Sequence, residues 1–514
     1  MQTVVQTLTW HDTWYLAPEI VLAAFTIVLA ILDLALPKRI GRNIIGWGAL
    51  LGLIAAGVFV GWHIHDLSTW EEAGKEPFRN LLDGSYRVDD FGNLLKLVFL
   101  GATALIVLAS LGTTRTDEIP IKGEFYYLVL PAVLGAMVMA SSGDLITLFI
   151  GMELLGITSY VLVAARKSAG ISGEAAFKYV VTGGTASAFV LYGMSFLYGM
   201  TGSTRLSGIG DAIGNAVAES PAMVYVAFFL LIVGFALKLA LAPFHAWAPD
   251  VYQGAPTPVT SFLGVVAKGA AFAMLYRIFV NTALYAYADN TQLRDDLYLA
   301  LKVLAAAAML VGVAGALRQQ NAKRLLALSG VANAGILLIP LALDVTNFHA
   351  SLFSEFIYYL LAYVLMNAGA FAVVAVVARG AKSEELSGFA GLYHRAPWTA
   401  AAMTVLVCSL AGLPVTGGFF GKLFILFGTV QTKEYWLAAV LLASTVISYY
   451  VYFSFIRQMY LRGGESELPV TVPVPTGLVI WICAAATVAM GFLPKPILEW
   501  VDGLFSLTTD FFSR

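Results

Sequence analysis

The chain has 514 residues, of which 59% are hydrophobic and 12% charged, and its net charge is −2. Soluble domains carry about 25% charged residues, so a water-soluble fold is excluded, and the near-neutral balance offers nucleic acid no attraction. Cys408 and Cys483 are the two cysteines; both lie in apolar runs and form no CxxC pair, so no iron–sulfur or zinc centre is implied.

Apolar runs near 20 residues recur from one end to the other, the pattern of an all-α polytopic membrane protein. The stretch Met1–Ile20 lacks a basic n-region and a small-residue cleavage site, so the first run is expected to be a retained helix. Fourteen spans are predicted: 15–36, 44–63, 91–111, 124–141, 143–165, 174–201, 221–253, 257–280, 297–317, 323–343, 354–379, 397–430, 435–461 and 472–493. The longest loop, 64–90, is polar, and the other loops are short, which points to one bundle. The stretch 497–514 is amphipathic and is expected to lie in the membrane interface.

Basic residues in the loops set the orientation. One set of loops holds fifteen: Lys38, Arg39, Arg42, Arg115, Lys122, Arg166, Lys167, Arg318, Lys323, Arg324, Arg379, Lys382, Arg395, Arg457 and Arg462. The opposite set holds eight: Lys75, Arg79, Arg87, Arg205, Arg294, Lys433, Lys495 and Arg514. The first set is expected in the cytoplasm, with both termini outside.

The seventh span, 221–253, breaks around Pro243, and the twelfth, 397–430, breaks around Leu413-Pro414-Val415-Thr416-Gly417-Gly418. A proline inside a helix removes a hydrogen bond, which lipid tolerates only where protein or a wet cavity satisfies the freed backbone. Two interrupted spans of opposite direction point to inverted repeats and to a transport site. The repeats would be spans four to eight, 124–284, and nine to thirteen, 297–462. Residues 1–123 would hold the first three helices and 472–514 the last helix and the tail.

Ionisable residues in hydrocarbon are costly and mark function. Glu153 lies ten residues from Gly143, about 15 Å deep. Lys268 is ten residues into its span from Pro258. Lys238 precedes the first break and Lys422 follows the second. Burial lowers a lysine pKa and a carboxylate restores it, so Glu–Lys pairs that form and separate suit proton transfer; a Na⁺ site on the unwound backbone stays open as the other reading. His245, in the first break, either relays protons or caps freed backbone groups. Glu355, Tyr359 and Tyr363 share a helical face that either lines a wet path or packs. Lys96, Lys178, Lys302 and Arg277 are expected near span ends, with their charges in the interface, and His63 and His65 at a membrane edge. The run Gly417-Gly418-Phe419-Phe420-Gly421-Lys422 is one residue short of a phosphate loop and has Leu423 where the hydroxyl residue belongs.

The segment Lys238-Leu-Ala-Leu-Ala-Pro243-Phe244-His245-Ala-Trp247-Ala-Pro249-Asp250-Val251-Tyr252-Gln-Gly254-Ala255-Pro256-Thr257-Pro258 resembles the antiporter-like membrane subunits of respiratory complex I, the N-type branch in particular. Gly151-Met-Glu153-Leu-Leu, Arg324-Leu-Leu-Ala-Leu-Ser329 and Gly412-Leu-Pro414-Val-Thr-Gly417-Gly418-Phe419-Phe420-Gly421-Lys422 fit the same family, and the likeness covers the whole chain. The resemblance implies fourteen helices, two inverted five-helix repeats and a hydrated polar axis. It implies that Glu153 and Lys238 form an ion pair, that Lys268 connects the halves and that Lys422 sits on helix twelve. It implies proton pumping in NADH:quinone oxidoreductase, with NADH, FMN, iron–sulfur clusters and quinone bound by other subunits and no cofactor here. K-type and M-type subunits would be the neighbours in a bacterial inner membrane. A cation/proton antiporter subunit of the Mrp kind is the alternative.

Overall fold

The computed structural model describes residues 10–37, 39–72, 74–114, 119–167, 169–284, 291–343, 351–381, 383–463, 470–504 and 510–511. Lys38, Arg115, Lys382 and Arg514, four of the charges behind the predicted orientation, lie outside them, as do residues 1–9 of the predicted N-terminal stretch and 505–509 and 512–514 of the predicted tail. The fold is all-α and polytopic, with thirteen helices long and apolar enough to cross a membrane among the described residues.

In chain order the helices begin with α1 (Trp10–Tyr15), α2 (Ala17–Ala35) and α3 (Asn43–Glu72). A short antiparallel hairpin follows, β1 (Arg79–Leu81) and β2 (Tyr86–Val88), with Asn80 opposite Arg87. Then come α4 (Asp90–Thr113), α5 (Lys122–Ser141), α6 (Leu145–Val163), α7 (Gly170–Thr201), α8 (Leu206–Glu219), α9 (Pro221–Leu239) and α10 (Trp247–Gly254). Next are α11 (Thr257–Phe262) and α12 (Lys268–Phe279), joined by a π-turn at Leu263–Ala267, then α13 (Thr291–Ala316), α14 (Ala322–Ala342) and α15 (Ser351–Ala381). The chain goes on with α16 (Leu392–Arg395), α17 (Pro397–Ala411), α18 (Gly417–Gln431), α19 (Tyr435–Leu461), α20 (Val474–Phe492) and α21 (Pro494–Leu504).

Side chains fix where several helices start. Asp89 accepts from the Gly92 N–H at 2.8 Å, Asp144 from Ile146 at 2.7 Å, Asn321 from Lys323 at 3.0 Å and Thr416 from Phe419 at 3.4 Å. Each satisfies a first-turn donor that lipid would leave bare. The centre of the bundle is α11, α12, α14 and α15: α14 is entirely buried over its apolar window, while α2, α7 and α19 keep most of theirs outward, toward lipid.

Three features differ from the sequence reading. The 64–90 loop is not plain coil, because α3 runs on to Glu72 and the hairpin closes over Tyr15 and Leu67. An extra helix, α8, fills the connection after α7, burying Leu206, Ile209 and Ile213 on one side; its apolar stripe was too thin to read as a span. The tail does not simply lie in the interface: α21 is mostly exposed, but Asp510 and Phe511 are 2% and 5% exposed and dock against α4.

Several charges expected at span ends are inside the protein. Lys96 is fully buried and pairs with Glu19 at 3.0 Å and with the Tyr86 hydroxyl at 2.7 Å. Burial first, then the Glu19 carboxylate, pushes the Tyr86 hydroxyl well above its ordinary pKa, so it remains a donor to Glu19 at 2.5 Å. Arg277 is 1% exposed; its guanidinium holds both Asp89 oxygens at 2.6 Å and lies between the rings of Phe91 and Phe511. His63 is buried against the Trp14 carbonyl at 3.2 Å. Lys302 pairs with Glu434, whereas Lys178 keeps its charge well exposed at a span end, as expected, beside Glu174 one turn away and Asp250. A long aliphatic stem places a charge at the interface only when no buried partner is in reach; here the partners came from distant segments.

Candidate functional site

The two interrupted helices end in the same way. At the end of α9 the Leu241 N–H bonds the Ala236 carbonyl at 2.8 Å, with Ala240 left-handed at φ 55°. At the end of α17 the Leu413 N–H bonds the Cys408 carbonyl at 3.0 Å, with Gly412 left-handed at φ 83°. Both are six-to-one C-caps. Such a cap leaves carbonyls of the last turn needing donors, and a helix C-terminus favours positive charge.

Lys422 supplies those donors at the second break. Its ammonium, 7% exposed, donates to the Leu410 carbonyl at 2.8 Å and the Ala411 carbonyl at 3.2 Å. At the first break an indole does the work, Trp247 Nε1 donating to the Leu237 carbonyl at 3.0 Å. His245 is therefore not the cap there. Its ring is half-buried, and Nδ1 is enclosed without a hydrogen-bond partner among the described residues.

Lys238 sits in the last turn of α9. Glu153, on α6, accepts from the Ser187 hydroxyl of α7, and no direct ion pair joins it to Lys238 among the described contacts. The Lys238 ammonium instead stands over Gly156, 3.7 Å from where a β-carbon would be, with the Tyr160 hydroxyl 3.3 Å from the same point. Glu153 and Gly156 are three residues apart on one face of α6. The structure thus brings the expected partners to one helix face, while a serine holds the carboxylate and a glycine leaves room for the ammonium.

From this point phenols lead inward. Tyr160 meets Tyr179 edge-on at 4.9 Å, and Tyr179 stacks on Trp247 at 5.2 Å. Tyr252 of α10, 2% exposed, has Tyr179 and Tyr363 as its titratable neighbours. Lys268 is 3% exposed and donates to the Gly330 carbonyl at 2.6 Å. A side chain at position 330 would meet both the Lys268 ammonium, at 2.9 Å, and the Tyr363 hydroxyl, at 3.0 Å, so Gly330 keeps that junction open.

Beyond Lys268 lies a continuous polar cluster. Ser329 and Tyr452 share a hydrogen bond of 2.5 Å, Asn333 Nδ2 reaches Ser329 Oγ at 3.2 Å and Tyr452 at 3.3 Å, and Tyr359 donates to Asn333 Oδ1 at 2.6 Å. Tyr359 packs on α18 at Gly421, next to Lys422. The cluster therefore joins the neighbourhoods of Lys268 and Lys422 through α14, α15 and α19. Tyr359 of the cluster, and Tyr363 beside it, were legible in the sequence; Ser329 and Tyr252 entered there only within the family-like segments, and Asn333, Tyr452, Tyr160, Tyr179 and Ser187 did not enter. Their one signal is a polar group within an apolar run.

A second charged cluster ties the halves together beside the first break. Arg324 holds Asp250 at 2.5 Å and Gln253 at 3.0 Å, and Lys178 holds Asp250 at 2.6 Å. Glu384 takes Arg166 at 3.0 Å and Lys323 at 2.8 Å, and Lys323 also donates to the Ala255 carbonyl at 2.9 Å. Among the described residues no group of three or more His, Cys, Asp or Glu converges as metal ligands would.

The family described as "NADH:quinone oxidoreductase/Mrp antiporter, TM" matches residues 142–448, which include all five candidate residues. The NADH-quinone oxidoreductase subunit N of Paenibacillus sp. (strain JDR-2) is 58% identical over 515 residues, covering 99% of each chain. A chain of respiratory complex I from Thermus thermophilus with bound aureothin has a TM-score of 0.75 at 31% identity, over 94% of this chain and 98% of that one. A chain of the Mrp complex from Dietzia sp. DQ12-45-1b shares the fold at a TM-score of 0.80 and 19% identity, over 98% and 99%. Matched across more than half its length by one family and nearly end to end by a relative at this identity, the chain belongs to the NADH:quinone oxidoreductase/Mrp antiporter family of membrane subunits.

Proposed function

We propose that the chain is the N-type membrane subunit of an NADH:quinone oxidoreductase and carries protons across the membrane along the line Glu153–Lys238–Lys268–Lys422. The redox steps, with NADH, FMN, iron–sulfur clusters and quinone, belong to other subunits. The observation that carries the reading is the junction at Lys268: a buried ammonium held, among the described residues, by the Gly330 carbonyl, with phenols on one side and the Tyr359–Asn333–Ser329–Tyr452 cluster on the other. A lysine held only by a neutral acceptor gives up its proton far more readily than one held by a carboxylate.

The two halves, 124–284 and 297–462, are read as inverted repeats with helices seven and twelve broken; the matching C-caps of α9 and α17 support this. The bias of basic residues puts the Asp250–Arg324–Glu384 cluster on the cytoplasmic side and both termini outside. An impermeant thiol reagent in intact cells should then label Ser68→Cys and not Gly41→Cys; the reverse would invert the topology. K-type and M-type subunits of the same complex are the expected neighbours, in a bacterial plasma membrane. His245 is read as a relay, since Trp247 already caps the helix end.

Lys268→Met tests the reading. Complex content should be unchanged and NADH-driven proton uptake in proteoliposomes should fall by about a hundredfold, the low end of what a positioned acid–base group contributes. Lys268→Arg should not restore it, because a guanidinium stays protonated. Normal pumping in the arginine variant would mean that charge alone matters. Sodium-driven exchange by the isolated chain would favour the Mrp-type alternative.

A further inference from the structure

The line of polar groups on α15 does not stop at Tyr359. One turn further toward the start of the helix stands Glu355, four residues from Ser351 and so about 6 Å from the helix end. Tyr363, Tyr359 and Glu355 follow one another at four-residue spacing, which puts them on one face over about 12 Å. Tyr363 lies at the Lys268 junction, Tyr359 holds Asn333, and Glu355 is the outermost of the three.

The setting of Glu355 is unlike that of a structural carboxylate. Its Oε2 is enclosed and has no hydrogen-bond partner among the described residues. A buried carboxylate kept for stability is held at both oxygens, as Asp89 is by Arg277. The wall facing Oε2 is Gly428 of α18, where a β-carbon would lie only 2.9 Å away, with Leu352 and Leu343 beside it. Enclosed in this way, the carboxyl has no donor to offset an ionic charge on that oxygen.

The neighbouring charge is Asp502, on α21. The Ser354 hydroxyl, adjacent in the chain to Glu355, donates to Asp502 Oδ1 and so pins α21 across this end of α15. Val501 is fully buried against the bundle, whereas Asp502 is exposed to solvent. A dry carboxyl and a wet carboxylate thus stand side by side where the polar line meets the surface.

We propose that Glu355 is the group from which protons leave the chain and that Asp502 receives them on the solvent side, with α21 as the element that keeps the two in register. In the step, the Glu355 O–H bond breaks and the proton passes to an Asp502 oxygen; Glu355 becomes a carboxylate, Asp502 a carboxylic acid, and Asp502 then releases the proton to water. No electrons move. The next proton reaches Glu355 along the Tyr359 side. This rests on the proton-carrying reading of Lys268.

The test compares Glu355→Gln, Glu355→Asp, Asp502→Asn and Lys268→Met in the intact complex, measuring protons taken up per NADH oxidised in proteoliposomes, normalised to complex content. Glu355→Gln is expected to lower the ratio about as far as Lys268→Met does, Glu355→Asp to recover part of it, and Asp502→Asn to lower it a few-fold. Adding Asp502→Asn to Glu355→Gln should cost little more, because one hand-over is already lost. A normal ratio in Glu355→Gln beside a low ratio in Lys268→Met would overturn the exit and leave the wider reading standing. Normal ratios in both would overturn the wider reading itself. A Glu355→Asp variant as poor as Glu355→Gln, with reduced complex content in both, would make the residue structural and end the proposal.

Discussion

The two breaks share a backbone motif and differ in what fills it. At the first, a neutral indole caps the helix end and Lys238 is left over a glycine with no acceptor of its own among the described contacts. At the second, the lysine itself is the cap and holds two carbonyls. A capping lysine must give up two hydrogen bonds to change partner, whereas Lys238 gives up none. On the proposed proton path, the comparison therefore makes Lys238 the freer of the two lysines and ties Lys422 to the shape of the second break.

The strongest way to break this contrast is at Lys422. Lys422→Met leaves the Leu410 and Ala411 carbonyls bare, at about 1–3 kcal/mol each, so both complex content and proton uptake should fall. Lys422→Arg should restore content but not uptake. If Lys422→Met assembles normally, the cap is not structural and the contrast fails.

The next largest effect concerns Glu153 and Lys238. Glu153→Gln and Lys238→Met should each keep assembly and cut uptake by about a hundredfold. The double variant should be little worse than either single, since groups acting on one face as a unit are not additive. Multiplying losses would mean that the two act independently.

The smallest effects separate cap from relay at the first break. Trp247→Phe removes one hydrogen bond, about 1 kcal/mol, and should lower thermal stability slightly while sparing uptake. His245→Phe should do the opposite, costing uptake a few-fold with stability unchanged. The reverse pattern would exchange the two roles.

The sequence made both breaks and the lysines Lys238, Lys268 and Lys422 visible, because proline, lysine and long apolar runs are strong local signals, but not the buried Lys96 and Lys323. It hid what depends on distant segments. Nothing local to Lys96 or Arg277 tells that Glu19 and Asp89 wait inside, so an interface position was the natural expectation and was wrong. Ser187 in place of Lys238 as the direct partner of Glu153 was equally hidden. The polar cluster of Ser329, Asn333 and Tyr452 draws on helices more than a hundred residues apart, and each member alone reads as an ordinary tolerated polar residue.

The docking of Asp510 also sets a clock on biogenesis. Its carboxylate accepts from the N–H groups of Asp90 and Phe91 at 3.0 and 3.4 Å, closing a loop of 420 residues around the start of α4. Ribosomes add about 5–20 residues per second, so α4 waits roughly 20–80 seconds for the acceptor of its first donors. Until then the Arg277–Asp89 knot lacks its lid of Phe511 and remains open to water. This end of the bundle is therefore sealed last, by the segment that carries Asp510 and Phe511.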